Sequence, residues 1–470
     1  MKTIVSKASL SASLLVLAAL PMATLSLIAQ KQAPPEGAPA KAFTVPAHET
    51  YTLSNGLKVT LVPYGNIPKV TISLAVGAGS IDEGRGHSGL ASVSADLMQE
   101  GTTTLSSSEL ADAAARMGST LDFNVSDDQT IAGLDVLSEF GPDAVKLLAD
   151  VIEHPRLPES ELPRLKNNHL RQIAIGSSRA QVIAVEHFRK ILYGEHPYSI
   201  VLPSEDDVKK ITLDDVKGYI AANFNAQRSH LYVAGRFDTA AIKKAIESSF
   251  GGWAKGGTAS AKNPPSTQAH RVLDVTDRPG APQSTLMIGL PVIPVNHPDA
   301  IALRVSNALL GGSFNSRIVA NIREQKGYAY SPSSQVSDRY HDSYWVERAD
   351  VTTQYTGASI HEILGEIKRL GSEPPAAQEL KGIQNYISGV FIIQNSNRGA
   401  LVSQFQTVDF QGLSDDYLKT FVGKVNALTP DDIKRVTAQY LKPQELTIVV
   451  VGDKSKISDQ LTPYDAGKEL

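Results

Sequence analysis

Catalytic chemistry needs nucleophiles, bases or metal ligands at defined spacing, and this 470-residue chain lacks most of the usual sets. It has no cysteine, which removes thiolate nucleophiles, thiolate zinc sites, cysteine-bound clusters and disulfides together. Any metal would have to be held by histidine and carboxylate. The eleven histidines are scattered, and none pairs with another at helical ligand spacing. His87, His154, His169 and His196 are read as structural or surface groups. HExxH, HxxEH, GxSxG and GxxxxGK[ST] do not occur. Gly311-Gly312-Ser313 is a short glycine turn, not a dinucleotide fingerprint. Lys plus Arg number 45 against 49 Asp plus Glu, without the basic excess expected of a nucleic-acid binder.

The elements that would position a site show an internal repeat. Residues 211–235 (ITLDDVKGYIAANFNAQRSHLYVAG) align without a gap on 428–452 (LTPDDIKRVTAQYLKPQELTIVVVG). Thr212, Asp214, Asp215, Lys217 and Gly235 recur as Thr429, Asp431, Asp432, Lys434 and Gly452. Both copies read as an N-capping threonine, acidic residues in the first helical turn, an amphipathic helix and an apolar strand ending at glycine. A Gly/Ser/Pro-rich linker at 256–268 divides a domain at 47–255 from a related one at 269–458, with a tail at 459–470. Thr52–Val62 and Lys69–Val76 predict a hairpin around Tyr64-Gly65-Asn66. Ser107–Met117 and Gly141–Ile152 predict helices, and Leu121–Asn124 and Thr130–Leu137 extended segments. Hairpins with helices predict an α+β fold of two sheet-plus-helix domains, not a doubly wound parallel sheet. Lys2, Lys7 and the apolar run Leu14–Ala23 predict a signal peptide over 1–29, hence a periplasmic or otherwise exported protein without stable membrane insertion after cleavage. A Pro/Ala-rich, flexible lead-in follows at 30–46.

Gly56-Leu57-Lys58-Val59, then Gly77–Thr102 (GAGSIDEGRGHSGLASVSADLMQEGT), then Tyr193-Gly194-Glu195-His196-Pro197-Tyr198 resemble, in order, the scaffold of the pitrilysin-like peptidases, family M16. The resemblance covers nearly the whole mature chain and implies one half of a clam-shell. In the family, a helix carrying H-x-x-E-H precedes a Gly-Thr turn, here Gly101-Thr102. The two histidines hold Zn²⁺ and the Glu is the general base on its water. Counting back from the turn places the histidine positions at Ser92 and Asp96 and the base position at Ala95. The distant ligand Glu falls near Gln172. Leu90, Val93, Leu97 and Met98 keep the helix amphipathic. Ser92, Ala95 and Gln172 lack the needed chemistry, and Asp96 alone does not make a zinc site. Asp96 with His87 or His169 in an unusual metal set is a weaker reading.

In the second half, Leu309–Ser331 (LLGGSFNSRIVANIREQKGYAYS) has the family's glycine turn, helix, and Arg and Tyr seven residues apart, here Arg323 and Tyr330. The resemblance implies that the pair holds the substrate backbone and the developing oxyanion. Without it, Arg323 reads as a surface group paired with Glu324, and Tyr330 as a core residue. Arg317 and Tyr328 compete for the same labels, and spacing favours Arg323 and Tyr330. Together these readings imply a non-catalytic subunit. It would bind no metal itself and would complete a zinc peptidase whose H-x-x-E-H partner carries the Zn²⁺ and acts on short or unfolded peptides. A non-enzymatic peptide-binding or scaffold protein is the alternative.

Overall fold

The computed structural model describes residues 43–257, 269–414 and 416–465, so the predicted signal and most of the lead-in and linker lie outside it. Two sheets organise these residues, and the repeated segments supply a central strand to each. The first contains β1 (Glu49–Thr52), β2 (Lys58–Pro63), β3 (Lys69–Val76), β4 (Asp122–Val125), β5 (Thr130–Leu137) and β6 (Ser229–Gly235), in the order β1-β2-β6-β3-β5-β4. The second contains β7 (Val272–Asp277), β8 (Gln283–Val292), β9 (Ser333–Arg339), β10 (Asp342–Thr352) and β11 (Thr447–Gly452), in the order β7-β11-β8-β10-β9. β6 runs parallel to β2 and antiparallel to β3, and β11 stands in the same relation to β7 and β8.

The N-terminal half carries α1 (Leu90–Met98), α2 (Ser107–Arg116), α3 (Gly141–Glu153), α4 (Leu162–Ser177), α5 (Ala180–Tyr193), α6 (Glu205–Lys210), α7 (Leu213–Asn223) and α8 (Thr239–Phe250). The C-terminal half carries α9 (Ala300–Leu310), α10 (Thr356–Ser372), α11 (Ala377–Gln394), α12 (Arg398–Phe410), α13 (Asp416–Ala427), α14 (Pro430–Tyr440) and α15 (Lys454–Leu461). The repeat extends to atomic detail. Thr212 accepts from the Asp215 N–H at 3.2 Å while Asp215 accepts from the Thr212 N–H at 2.8 Å. Thr429 and Asp432 form the same reciprocal cap at 3.2 and 2.9 Å. Each cap satisfies backbone donors that the first helical turn leaves open. The fold is α+β, with two sheet-plus-helix halves.

The predicted hairpin is corrected. Both of its strands exist, but β6 lies between them and pairs with each. β6 is an almost uninterrupted buried run, and a strand buried on both faces belongs at the centre of a sheet. The lead-in is corrected at its end. The Phe43 ring meets Phe391 edge-on at 5.1 Å, and Val45 also joins the C-terminal core. The tail boundary is corrected too. Residue 458 falls inside α15, whose Ile457 and Leu461 are buried, and the Tyr464 hydroxyl beyond it donates to Gly357 O at 2.7 Å.

Each half keeps its own core on the helical face of its sheet. The opposite faces are covered by exchange. α5, from the first half, packs on β8 and β11, with Phe188 and Tyr193 against Met287, Tyr344 and Val449. α12, from the second half, packs on β3 and β6, with Leu401 and Phe405 against Ala75 and Tyr232. The Tyr-Gly-Glu-His-Pro-Tyr segment closes this junction. The Tyr193 hydroxyl donates to Asp342 and the Tyr198 hydroxyl to Asp128, each at 2.7 Å. The Arg339 guanidinium lies 5.2–6.0 Å from the rings of Tyr193, Tyr198 and Tyr344. Asp127 accepts from Arg189 at 2.8 Å and pairs with Arg339 at 3.2 Å. Among the described residues no helix is long and apolar enough to cross a membrane.

Candidate functional site

α1 starts at Gly89, whose φ of +93° is the left-handed conformation glycine tolerates. Its first turn is capped from a distance. The Glu83 carboxylate accepts from the backbone N–H groups of Gly89 and Ala91 at 3.0 and 2.9 Å. Burial pushes Glu83 up to about 7, against the pull of those two donors. Leu90, Val93, Leu97 and Met98 are buried in the first core, which is the apolar face the sequence predicts.

The zinc-motif positions lie on this helix. Ser92 and Asp96 are half-buried, and Ala95, at the general-base position, is 2% exposed. α4 packs on α1, and its buried Leu165 and Ile173 and its half-buried His169 recur every fourth residue and so share one side of the helix. Gln172 is exposed on another side. The residue that meets Asp96 is His169, through a contact of 2.8 Å between Nε2 and Oδ2. Just beyond the C-terminal end of α1, Glu100 pairs with Arg164, which also binds Glu161 at 2.7 Å. The His169–Asp96 contact and the Arg164–Glu100 ion pair therefore tie α1 and the turn after it to α4. His87 is elsewhere, 3.7 Å from Asp215. Among the described residues no group of three or more His, Cys, Asp or Glu is arranged to hold a metal ion. Alanine in place of the base leaves nothing to take a proton from a metal-bound water, and a paired aspartate and histidine leave an incomplete ligand set.

The second region follows α9. Gly311 is packed against β9 and β10. A first side-chain carbon there would sit 2.4 Å from Glu347 Oε2 and 2.7 Å from Ser334 Oγ. Glu347 is fully buried, and neither of its carboxylate oxygens has a hydrogen-bond partner of good geometry. Burial holds its carboxyl well above the ordinary carboxylate range, and the nearby Ser333 backbone N–H offsets only part of that. The Ser313 hydroxyl donates to Ala308 O at 2.9 Å, which fixes the turn. The chain then forms the π-helix Val319–Gln325, a wide coil recurrent at functional sites. Ile318, Val319 and Ile322 bury its inner face. Asn321 donates to Glu362 and Glu366, both at 2.9 Å. Gly327, at φ +65°, ends the coil.

Arg323 stands on the outer side of this anchored coil. Its guanidinium carbon lies 4.7 Å from the centre of the Phe314 ring and 5.4 Å from that of Tyr330. Phe314 is 68% exposed and Tyr330 79%. Arg323 does pair with Glu324, through Nε at 3.1 Å, but Tyr330 is not a core residue. The competitors are committed elsewhere. Arg317 makes a bidentate pair with Glu379 at 2.7 and 2.8 Å, and the Tyr328 ring stacks on Tyr355 at 4.3 Å. The structure thus brings Arg323 and Tyr330 together on an open surface and adds Phe314, which the sequence reading passed over. His169 was equally hidden as a lone histidine, although its register with the buried Leu165 and Ile173 marks the inward side of α4.

Comparison with known proteins agrees with this architecture. The sequence model of the insulinase domain (peptidase family M16) matches residues 59–203, and that of the peptidase M16 inactive domain matches 210–387. A protein of Bacillus subtilis (strain 168) named as the zinc protease YmxG is 27% identical over 365 residues, 75% of this chain and 86% of that one. The non-peptidase homolog YmxG of Helicobacter pylori is 21% identical over 414 residues, 87% of this chain and 95% of its own length. The crystal structure of a peptidase M16 inactive domain from Pseudomonas fluorescens superposes with a TM-score of 0.80 at 22% identity, covering 86% of this chain and 98% of that one. With two M16 domains in tandem and neither base nor ligand set on its motif helix, this chain belongs to the M16 (insulinase) peptidase family as a pseudoenzyme.

Proposed function

We propose that the chain is the non-catalytic subunit of a heteromeric zinc-dependent endopeptidase or oligopeptidase, exported to the periplasm or an equivalent compartment. A partner bearing H-x-x-E-H would hold the Zn²⁺ and its attacking water. Arg323 and Tyr330 would meet the carbonyl of the peptide being cut. The observation that carries this reading is that Arg323, on an anchored coil, lies beside the exposed Tyr330 ring while the motif positions of α1 lack their chemistry. A fixed cation and a phenol donor suit a developing oxyanion.

The test is cleavage of unstructured peptides by this chain, by the partner and by their mixture. Activity is expected only in the mixture, and Arg323→Ala should lower its turnover about 100-fold, as loss of one oxyanion donor does. Hydrolysis by this chain alone, or a partner that gains nothing from mixing, would sink the proposal. A non-peptidase name on a relative of nearly the same length keeps a second reading open, in which the same surface binds peptides without chemistry. Peptide binding without turnover in any mixture is the outcome that selects it.

A further inference from the structure

We infer that Glu347 is a positioning residue for Arg323 and Tyr330, seating the stem of the excursion that carries both and unseating it when its carboxyl ionises. The inference rests on the subunit reading given above and adds its regulation by protons. Arg323 and Tyr330 lie on one excursion between α9 and β9, and Glu347 lies at its stem. On the entering side, Gly311 comes so close to Glu347 Oε2 that no side chain fits there. On the leaving side, Ser334 is the register partner of Glu347 and follows Tyr330 by four residues. Its N–H donates to Gly311 O at 3.1 Å and so closes the stem. Three residues after Gly311, the Phe314 ring meets the Arg323 guanidinium, which links the seat of the turn to Arg323.

The polar groups of the stem are already engaged. Asn307 Oδ1 accepts from the Ser334 hydroxyl at 2.7 Å and from Trp345 Nε1 at 2.9 Å. The N–H groups of Gly311 and Gly312 go to Asn307 O at 3.0 and 2.8 Å. Glu347 is left without a partner. Its register partners, Ile288 on β8 and Ser334 on β9, carry no charge. Arg304 of α9 is taken by Asp338 of β9, and Glu362 and Glu366 of α10 hold Asn321. Arg348 and Asp350 lie on the opposite face of β10. Uncharged, the carboxyl fits this closed seat. Charged, it needs donors that the stem does not offer, and admitting water parts Gly311 from Ser334. The turn then shifts, and Arg323 and Tyr330 shift with it.

The experiment follows peptide cleavage by the two-chain complex against pH. On an alkaline limb kcat should fall about tenfold per pH unit, with KM little changed. Glu347→Gln should lose that limb. Glu347→Met, similar in length and unable to ionise, should lose it too. A second readout needs no partner. Trp345 shares the Glu347 face of β10 and is one of two tryptophans, so Trp253→Phe leaves it as the sole reporter. Its fluorescence in the full chain should titrate with the midpoint of the limb while the far-UV circular dichroism stays constant, and Glu347→Gln should abolish the titration. A parent profile without the limb, a limb that persists in both variants, or Trp345 fluorescence that does not follow it overturns this inference. The subunit reading then stands if Arg323→Ala still lowers turnover of the mixture. No effect of Arg323→Ala at any pH overturns both.

Discussion

The α1–α4 face and the Phe314–Arg323–Tyr330 face belong to halves built on one plan, yet they have been treated in opposite ways. On the first, a histidine–aspartate contact and an arginine–glutamate contact join α1 and the turn after it to α4, and the base position is a buried alanine. On the second, the coil is pinned by Arg317, Asn321 and the buried turn, while the groups that could touch a ligand remain in water. Polar chemistry in the first region serves packing. In the second, packing serves the display of polar chemistry. A pseudoenzyme thus need not lose its whole site evenly.

The sharpest way to break this contrast is to return the base to α1. Ala95→Glu would bury an uncompensated carboxylate and should cost about 3 kcal/mol in a urea melt. A variant as stable as the parent would show that the first region is open after all. Next comes Glu347 beneath the glycine turn. Its folded-state affinity for a proton exceeds its unfolded one, so its contribution is complete at and below the ordinary carboxylate range and is lost as pH rises above it. The parent chain should lose up to about 1.4 kcal/mol per pH unit on that limb, and Glu347→Gln should flatten it. Parallel stability profiles for the two proteins would contradict the assignment. A smaller effect is expected from His169 and Asp96, a pair with side-chain exposures of 17% and 41%. A double-mutant cycle with His169→Ala and Asp96→Ala should return a coupling of about 1 kcal/mol. A coupling near zero would mean that the contact does not hold α1 to α4. The smallest change belongs to the second region. Arg323→Ala should move stability by less than about 0.5 kcal/mol, because its one ion pair is at the surface. A large loss would recast Arg323 as scaffold.

Much of the architecture was legible because it is written in local chemistry. The Thr-x-x-Asp caps at 212–215 and 429–432 and the apolar runs behind them announce both copies of the central helix and strand. The amphipathic pattern of α1 was readable for the same reason. Strand pairing was not, since β2 and β3 are close in sequence but are joined only through β6, more than 150 residues later. The lead-in reads as Pro/Ala-rich and flexible, but Phe43 and Val45 find partners far along the chain. At the site, the absence of zinc ligands was visible in residue types alone. The partner of Asp96 was not, because a gapless count to Gln172 ignores which side of α4 faces inward. Tyr330 by itself could equally have been a core residue, and only its three-dimensional setting with Arg323 and Phe314 shows otherwise.

The exchange of α5 and α12 has a consequence for the origin and handling of the chain. The ends of the two helices, Tyr193 and Phe410, are 217 residues apart, the same offset as the sequence repeat. Each half thus covers the other's sheet with its own copy of the same helix, which is the connectivity of a symmetric swapped dimer whose protomers have been joined by a linker. Cleavage in that linker should leave the halves associated. Either half produced alone would carry both a vacant sheet face and the helix that fits one, and so would tend to find a second copy of itself.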